Sequence, residues 1–235
     1  MKRVISYVDG LNLYHGAKDF VRHSGEPGPW KWLDLNALCS RLCPHDSLVG
    51  IKYYTAHLIG PPSDVRRPSR QQAYLRAVSS MPKVSIHLGN FMMQKKRMPL
   101  VASLSHLRLR LVKFHGIDLR RHKDGNISVP VWRMEEKGTD VNLGVQLVAD
   151  AFQAAFDKAV VISNDSDLVE PIRMVVHDLD KEVIVVNPRG HRPPAMALRN
   201  VTSGVRQLRM STLLESQMPD EIHDAQGLIR KPQGW

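Results

Sequence analysis

Short runs of β-branched and aromatic residues alternate along the chain with segments in which apolar residues recur every three or four positions. The first run covers residues 4–8 and stops at Asp9, and the spacing of the apolar residues is helical from residue 11 onward. Further strands are predicted at residues 51–57, 84–88, 159–162 and 182–186, and helices at residues 33–42, 68–80 and 140–156. Strands that alternate with helices in this way are typical of a parallel α/β sheet.

Two of the predicted strands indicate the centre of that sheet. The runs at residues 159–162 and 182–186 are almost continuously apolar, as expected for strands covered by helices on both faces. The helix at residues 140–156 carries a periodic stripe that is predicted to pack on the sheet. This stripe consists of Val141, Gly144, Val145, Val148, Phe152 and Ala155.

Two segments do not follow the alternation. Residues 90–134 contain two extended runs that are compatible with an antiparallel hairpin around a long basic excursion, which predicts an insertion. The segment after about residue 215 is rich in Pro and Gly and has few apolar anchors. We therefore expect one α/β domain over residues 1–215, with an insertion at about 90–134, followed by an extended tail over residues 216–235.

Composition and charge narrow the classes of function. With 43% hydrophobic and 24% charged residues among 235, the chain is expected to fold. The net charge of +10 favours a polyanionic partner, either nucleic acid or an acidic membrane surface. No apolar run approaches the roughly 18 residues that a membrane span needs, so neither a span nor a signal peptide is expected. Cys39 and Cys43 lack the spacing of a zinc site or a disulfide framework, which favours a reducing, cytoplasmic setting.

Acidic residues follow several of the predicted strands. Ligands bind to parallel sheets at the carboxyl ends of the strands. Asp9 ends the first predicted strand, and Asp165 and Asp167 follow the fourth. Asp140 stands at the start of the long helix. Each acid alone is equally well explained as a helix cap. If the first and fourth strands are neighbours, however, the acids converge, and two carboxylates about 4 Å apart repel by roughly 4 kcal/mol before screening. A divalent cation with oxygen ligands, Mg²⁺ or Mn²⁺, would offset that repulsion.

Three polar residues next to these acids are candidates for supporting roles. Asn12, three residues beyond Asp9, is placed either to reach the same site or only to cap its helix, and the sequence favours neither reading. Ser163 is placed to orient a carboxylate. Asn164 tolerates the left-handed backbone that such a turn often needs.

A basic segment, residues 95–123, supplies candidates for nucleic-acid binding. Charge runs of this kind are often solvated loops, but beside an acidic site a role in guiding phosphates is favoured. Arg66, Arg67 and Arg70 would extend the same track. The segment contains one acid, Asp118, and nine basic residues: Lys95, Lys96, Arg97, Arg108, Arg110, Lys113, Arg120, Arg121 and Lys123.

Three motifs resemble the signatures of the NYN family, a branch of the PIN-like nucleases. They are YVDGLNLY at residues 7–14, EKGTDVNL at 136–143 and ISNDSDL at 162–168, and their order and spacing also agree with the family. The resemblance covers about residues 1–190 and implies a Rossmann-like PIN fold with a central, mostly parallel sheet flanked by helices. It also implies a metal-dependent endoribonuclease acting on single-stranded or structured RNA. The residues it marks are Asp9, Asp140, Asp165 and Asp167 as the acidic cluster, accompanied by Asn12.

Two departures from the family pattern leave alternatives in place. Gln146 stands where many relatives carry Asp, and Asn164 replaces a common Gly. If Gln146 abolishes metal binding, the chain would be an RNA-binding module with little or no activity. A structure-specific DNA nuclease is a further alternative, because such a site does not by itself distinguish 2′-OH from 2′-H. A second copy of the chain is a possible additional partner.

Overall fold

Strands and helices alternate through most of the chain, as the hydrophobic pattern predicts. The computed structural model describes residues 1–25, 29–60, 64–100, 118–123 and 126–235. The strands are β1 Arg3–Asp9, β2 Ser47–Ala56, β3 Val84–Pro99, β4 Arg120–Arg121, β5 Ile127–Lys137, β6 Lys158–Ile162, β7 Glu182–Asn187, β8 Gly204–Gln207, β9 Glu221–Asp224 and β10 Gly227–Arg230. The α-helices are α1 Gly10–Ser24, α2 Leu35–Leu42, α3 Arg67–Ser79, α4 Thr139–Phe152, α5 Val169–Arg173, α6 Met196–Val201 and α7 Met210–Leu214. A 3₁₀ turn, Ser166–Leu168, precedes α5, and a π-helical turn, Met174–Asp178, follows it.

The chain divides into two units, and the residues of strand β3 belong partly to each. Unit 1 comprises Met1–Asn90 and Gly138–Trp235, and unit 2 comprises Phe91–Lys137, close to the expected insertion at 90–134. In unit 2 the strand order is β4-β5-β3, and β4 pairs with β5 in the antiparallel direction.

The sheet of unit 1 confirms the predicted fold class. Its strand order is β3-β2-β1-β6-β7-β8, and every neighbouring pair is parallel. The register pairs Val8 of β1 with Ile162 of β6 and with Tyr53 of β2. The first and fourth strands of the sequence prediction are therefore neighbours, and their carboxyl ends lie side by side.

The long helix α4 buries a different face from the one that the periodicity predicts. Leu143, Leu147 and Ala151 are buried against the sheet, whereas Val141, Val145 and Phe152 are 63%, 65% and 79% exposed. The predicted stripe was therefore wrong for these three residues, whereas Gly144 is buried and Val148 and Ala155 pack, partly buried, against the core. Because the helix is apolar on almost every side, its spacing alone does not select a face, and the larger Leu side chains gain more from burial.

The C-terminal segment is folded onto unit 1 rather than extended. Strands β9 and β10 form an antiparallel hairpin, and Ile229 is buried in the core. Arg76 of α3 donates two hydrogen bonds to the Asp224 carboxylate, at 2.7 and 2.5 Å, which fasten the hairpin to the helix. The ring of Trp235 lies 5.6 Å from that of Tyr74, so this terminal aromatic residue packs on its own chain.

Among the residues that the structure describes, no helix combines the length and the apolar character that crossing a membrane requires.

Candidate functional site

Asp9 lies at the carboxyl end of β1 with both carboxylate oxygens engaged. One oxygen accepts a hydrogen bond from the backbone N–H of Asn12 at 2.9 Å, and the other accepts from the Ser163 hydroxyl at 2.9 Å. Asp9 shares the face of the strand with Tyr7, the face covered by α4, because side chains alternate along a strand. The carboxylate is buried and is held at the seam between β1 and β6.

The turn after β6 places two further acids next to Ser163. The buried Ser163 hydroxyl accepts a hydrogen bond from the backbone N–H of Asp165 at 3.1 Å while it donates to Asp9. One carboxylate oxygen of Asp165 accepts from the backbone N–H of Asp167 at 3.0 Å and so caps the 3₁₀ turn. Asp165 is half-buried and Asp167 is exposed. Ser163 therefore connects the two acidic positions through one hydroxyl group.

Two asparagines fasten this turn to its neighbours. The side-chain oxygen of Asn12 accepts a hydrogen bond from the Asn164 backbone N–H at 3.1 Å. The side-chain oxygen of Asn164 accepts from the Ala195 backbone N–H at 2.8 Å. Among the described residues positive φ angles occur elsewhere, so the left-handed conformation expected for Asn164 was wrong. An asparagine is useful here because its amide joins two loops.

Asp140 lies in the first turn of α4, at the same edge of the sheet. Since α4 leads into the amino end of β6, its own first turn lies at the carboxyl edge. A Cβ placed at Gly144 would come within 2.8 Å of Pro171 and 3.9 Å of Leu168, so α4 meets the 3₁₀ turn closely. Residues four apart share one face of a helix. Asp140 is therefore on the side of α4 that faces the turn carrying Asp165 and Asp167.

The four acids do not form a preformed metal cluster. Within the described ranges, no three Asp, Glu, His or Cys side chains are close enough to hold a metal ion between them. The chemistry of the donor set nevertheless fits a hard divalent cation, because carboxylate, hydroxyl and amide oxygens are the ligands that such ions prefer. The structure brings the acids to one edge, where hydrogen bonds connect Asp9, Ser163, Asp165 and Asp167.

A buried ion pair that sequence reasoning missed lies deeper on the same face of the sheet. The Asp150 carboxylate lies 2.6 Å from the Lys52 ammonium and accepts hydrogen bonds from the Tyr7 hydroxyl at 2.5 Å and the Gln146 amide at 2.9 Å. Burial by itself would raise the pKa of Asp150, but hydrogen bonds from Lys52, Tyr7 and Gln146 outweigh it and hold the pKa below its usual value. Gln146, the departure from the family pattern, is thus committed to this network. The available signal was the spacing of Gln146 and Asp150, four residues apart on one helix face.

The basic candidates differ in how far they are already neutralised. Lys96 pairs with Glu135 at 3.1 Å, and Arg97 pairs with Asp118 at 2.8 Å. Arg70, in unit 1, pairs with Asp64. Lys95, Arg120, Lys123 and Arg66 are exposed, Arg67 is half-buried, and Arg121 belongs to β4. Arg108, Arg110 and Lys113 lie outside the described residues.

Comparison with known proteins agrees with the predicted family and fold. A family model described as "NYN domain" matches residues 3–208. The chain is 26% identical, over 97% of its own length and 74% of the relative, to 6-hydroxy-3-succinoylpyridine 3-monooxygenase from Pseudomonas putida. A crystal structure of a protein of unknown function from Vibrio parahaemolyticus is similar in fold, with a TM-score of 0.50 and 15% identity. The match covers 89% of this chain and 94% of that one.

Proposed function

This chain belongs to the NYN domain family, and we propose that it is a metal-dependent endoribonuclease that hydrolyses phosphodiester bonds in RNA. The family implies a PIN-like nuclease, a hydrolase, in general terms, and such nucleases generally use divalent metal ions. The observation that carries the finer proposal is the buried carboxylate of Asp9, held by Ser163 and Asn12 at the carboxyl edge of the sheet. Hydrogen bonds of this kind set the orientation of metal ligands in other sites.

Asp9, Asp140, Asp165 and Asp167 are the residues that would hold Mg²⁺ or Mn²⁺. When bound, such an ion supplies a Lewis acid that makes water a better nucleophile and neutralises charge on the leaving oxygen. Ser163 keeps one Asp9 oxygen oriented, and Asn12 keeps the turn carrying Asp165 close to β1. This arrangement requires no nucleophilic side chain.

The test is a cleavage assay with purified full-length protein. RNA and DNA of the same sequence are labelled and incubated with Mn²⁺, Mg²⁺ or EDTA. We expect RNA cleavage in the presence of metal and none in EDTA. RNA that is bound but not cut with either metal would favour an RNA-binding module instead, and cleavage confined to DNA would favour a DNA nuclease.

Unit 2 is proposed to guide the RNA. Exposed Lys95, Arg120 and Lys123 supply positive charge, and Trp132 is also exposed, which provides a ring on which a base can stack. Charged side chains of this kind bind phosphates independently of sequence.

Removing three positive charges from unit 2 is expected to weaken the binding of RNA of any sequence. Changing Arg120, Arg121 and Lys123 to Ala should make the dependence of log affinity on log salt shallower by up to about 0.7 for each phosphate that the protein no longer neutralises. Affinities of a short RNA at several salt concentrations measure this. A matched triple variant at the exposed residues Arg22, Arg199 and Arg230 should leave the slope unchanged, and equal slopes for both variants would mean that Arg120, Arg121 and Lys123 do not neutralise RNA phosphates.

A second copy of the chain is proposed to pack on the exposed face of α4. Val141, Val145 and Phe152 are exposed and Val148 is half-buried, and the four follow one another at intervals of four, three and four residues, the spacing of a helix–helix seam. No charged residue belongs to this stripe, so two copies of a chain with net charge +10 can meet there without like-charge contact. An uncharged apolar stripe is also self-complementary about a two-fold axis.

Placing a charge on that stripe is expected to separate the copies. Val145→Asp should give a monomer, because a two-fold contact would bury both new carboxylates. Light scattering after size-exclusion chromatography measures the mass. Val65→Asp, at an exposed residue outside α4, is the control, and a wild-type protein that is already monomeric would remove the proposed contact.

A second candidate function is an activity on a small heteroaromatic acid. It is favoured by the similarity to the Pseudomonas putida monooxygenase and by a cavity in unit 1 that Tyr14, Trp30 and Trp235 line. Calorimetry with 6-hydroxy-3-succinoylpyridine tests it. Absence of binding would remove this candidate.

A further inference from the structure

An aromatic cavity of about 190 Å³ lies beside the acidic edge of unit 1 but on the other face of the sheet. Gly10, the residue after Asp9 and the first residue of α1, lines this cavity. A Cβ placed at Gly10 would lie 2.6 Å from the Tyr53 hydroxyl oxygen, so the glycine allows the Tyr53 ring to form the inner wall. A cavity of roughly 150 Å³ in another protein admits benzene, so this one has room for a single aromatic ring system.

Ring faces line the outer part of the cavity. The rings of Tyr14 and Trp30 lie 5.2 Å apart, and Trp235 lies 5.6 Å from Tyr74. Tyr14, Trp30 and Trp235 line the cavity and are only half-buried. Stacking on such rings is worth about 1–3 kcal/mol per base and tolerates any base, because every base has a π-face.

The mouth of the cavity is positively charged. Lys31, Arg67 and Arg70 line it together with one acid, Asp64, which is paired with Arg70. The Lys31 ammonium lies 5.7 Å from the centre of the Trp30 ring and donates to the Gly234 carbonyl at 3.1 Å. Within the described residues, Arg67 takes part in no ion pair. The mouth therefore carries more positive charge than its acid neutralises.

The polar groups of the inner wall are already used within the protein. The Gln71 amide donates to the Ala56 carbonyl at 2.8 Å and accepts from the Leu58 N–H at 2.7 Å. Burial, chiefly, raises the pKa of Tyr53, which stays neutral. Beside these engaged groups the cavity offers aromatic rings and cations, which suit a planar ring that carries an anionic group and do not read a base sequence.

We propose that this cavity binds the base of one nucleotide of the RNA substrate, stacked on Tyr14 and Trp30, with the nucleotide's phosphate against Arg67 and Lys31. The inference rests on the proposed nuclease function, and it adds a substrate-positioning subsite to the acidic edge. Gly10, which lines the cavity, is the residue that follows Asp9 in the chain. The shared chemistry, a planar heteroaromatic ring with an anionic group, also describes small heteroaromatic acids, and the experiment separates the two.

Binding is measured without cleavage in the full-length Asp9→Asn protein with EDTA, using tryptophan fluorescence and the probes UMP, a short oligouridylate and nicotinate. We expect saturable quenching by UMP and by the oligouridylate. Trp30→Ala should lower the affinity about tenfold, and Trp30→Phe should restore most of it because a ring face remains. Arg67→Gln should also lower the affinity about tenfold, the loss expected for one charge-assisted hydrogen bond. Arg199→Gln on α6, which does not line the cavity, should have no effect, and thermal melts establish that each variant is folded.

The outcomes separate the subsite from the nuclease. Oligouridylate affinity that is unchanged in folded Trp30→Ala and Arg67→Gln overturns the subsite, and continued RNA cleavage by the unaltered protein then leaves the proposed function standing. Binding of nicotinate without binding of UMP or oligouridylate also overturns it, in favour of a small heteroaromatic acid. If UMP binds with the expected dependence on both residues but no metal supports cleavage, the subsite stands and the nuclease proposal fails.

Discussion

Asp9→Asn is expected to lower RNA cleavage by at least about 10³-fold, equivalent to roughly 4 kcal/mol of transition-state stabilisation. Asn still fits the pocket between Ser163 and Asn12, because its side-chain oxygen accepts one of the two hydrogen bonds that Asp9 accepts. It lacks the charge that would hold a divalent cation. RNA affinity should stay equal or rise slightly, because a carboxylate that repels phosphate has been removed.

Two further variants show whether the loss belongs to this site. Ser163→Ala removes the hydroxyl that orients Asp9 and should lower cleavage by about 10–100-fold, the usual effect of losing a group that orients a metal ligand. Asp180→Asn makes the same chemical change before β7, at the opposite edge of the sheet, where a φ of 50° is tolerated by Asn. Its activity should match that of the unaltered protein.

Single-turnover cleavage in Mn²⁺ is the measurement for all three variants. Near-normal cleavage by Asp9→Asn would remove Asp9 from the proposed centre. If Asp180→Asn lost as much activity as Asp9→Asn, the effect would reflect general damage to the fold rather than chemistry at the carboxyl edge.

Asp150→Asn is expected to lower the free energy of unfolding by about 3 kcal/mol at pH 7. Removing one member of a buried ion pair leaves the other charge uncompensated, which typically costs 3–5 kcal/mol. The lower end applies here because the Lys52 side chain is 20% exposed, although that of Asp150 is only 7% exposed. Urea denaturation followed by circular dichroism measures the change.

Two comparisons identify the cause of that loss. The double variant Lys52→Met/Asp150→Leu should have a higher free energy of unfolding than Asp150→Asn. Replacing both buried charges with apolar groups is often neutral, whereas Asp150→Asn leaves the Lys52 charge without its partner. Glu170→Gln removes an exposed partner of Arg173 and should change stability by less than about 0.5 kcal/mol. If Asp150→Asn were equally harmless, the pair would not stabilise the fold.

The contribution of the Asp150 carboxylate to the free energy of unfolding is expected to depend on pH. Because the folded pKa of Asp150 lies below its usual value, the ionised carboxylate stabilises the fold at every pH above the unfolded value of about 3.9. That contribution is lost as the pH falls through the folded pKa. The stability difference between the unaltered protein and Asp150→Asn should therefore be constant from pH 7 to about pH 5 and shrink below about pH 4.

The sequence was sufficient to locate strands β1, β2, β6 and β7, the start of β3 and the acidic residues that follow β1 and β6, but not β8, β9 or β10. The runs at residues 4–8 and 159–162 are apolar because they lie in a sheet covered on both faces, and this local requirement is visible in the residues themselves. Since ligand sites of parallel sheets form where strands end, Asp9 and Asp165 could be selected before any contact was known. The motifs added the family, and the family model that matches residues 3–208 confirms it.

Only the tertiary structure decided which face of α4 is buried, how the C-terminal segment ends and which charges are paired. Apolar residues lie on several sides of α4, and the face that is buried is the one on which Leu143 and Leu147 pack and Gly144 closely approaches Pro171. The hairpin at the end of the chain is fastened by Asp224 to Arg76, 148 residues away, and Asp150 bonds to Tyr7 across 143 residues. Contacts between residues so far apart leave no periodic signal along the chain, because periodicity reports the local geometry of one strand or helix and not the partner that it meets.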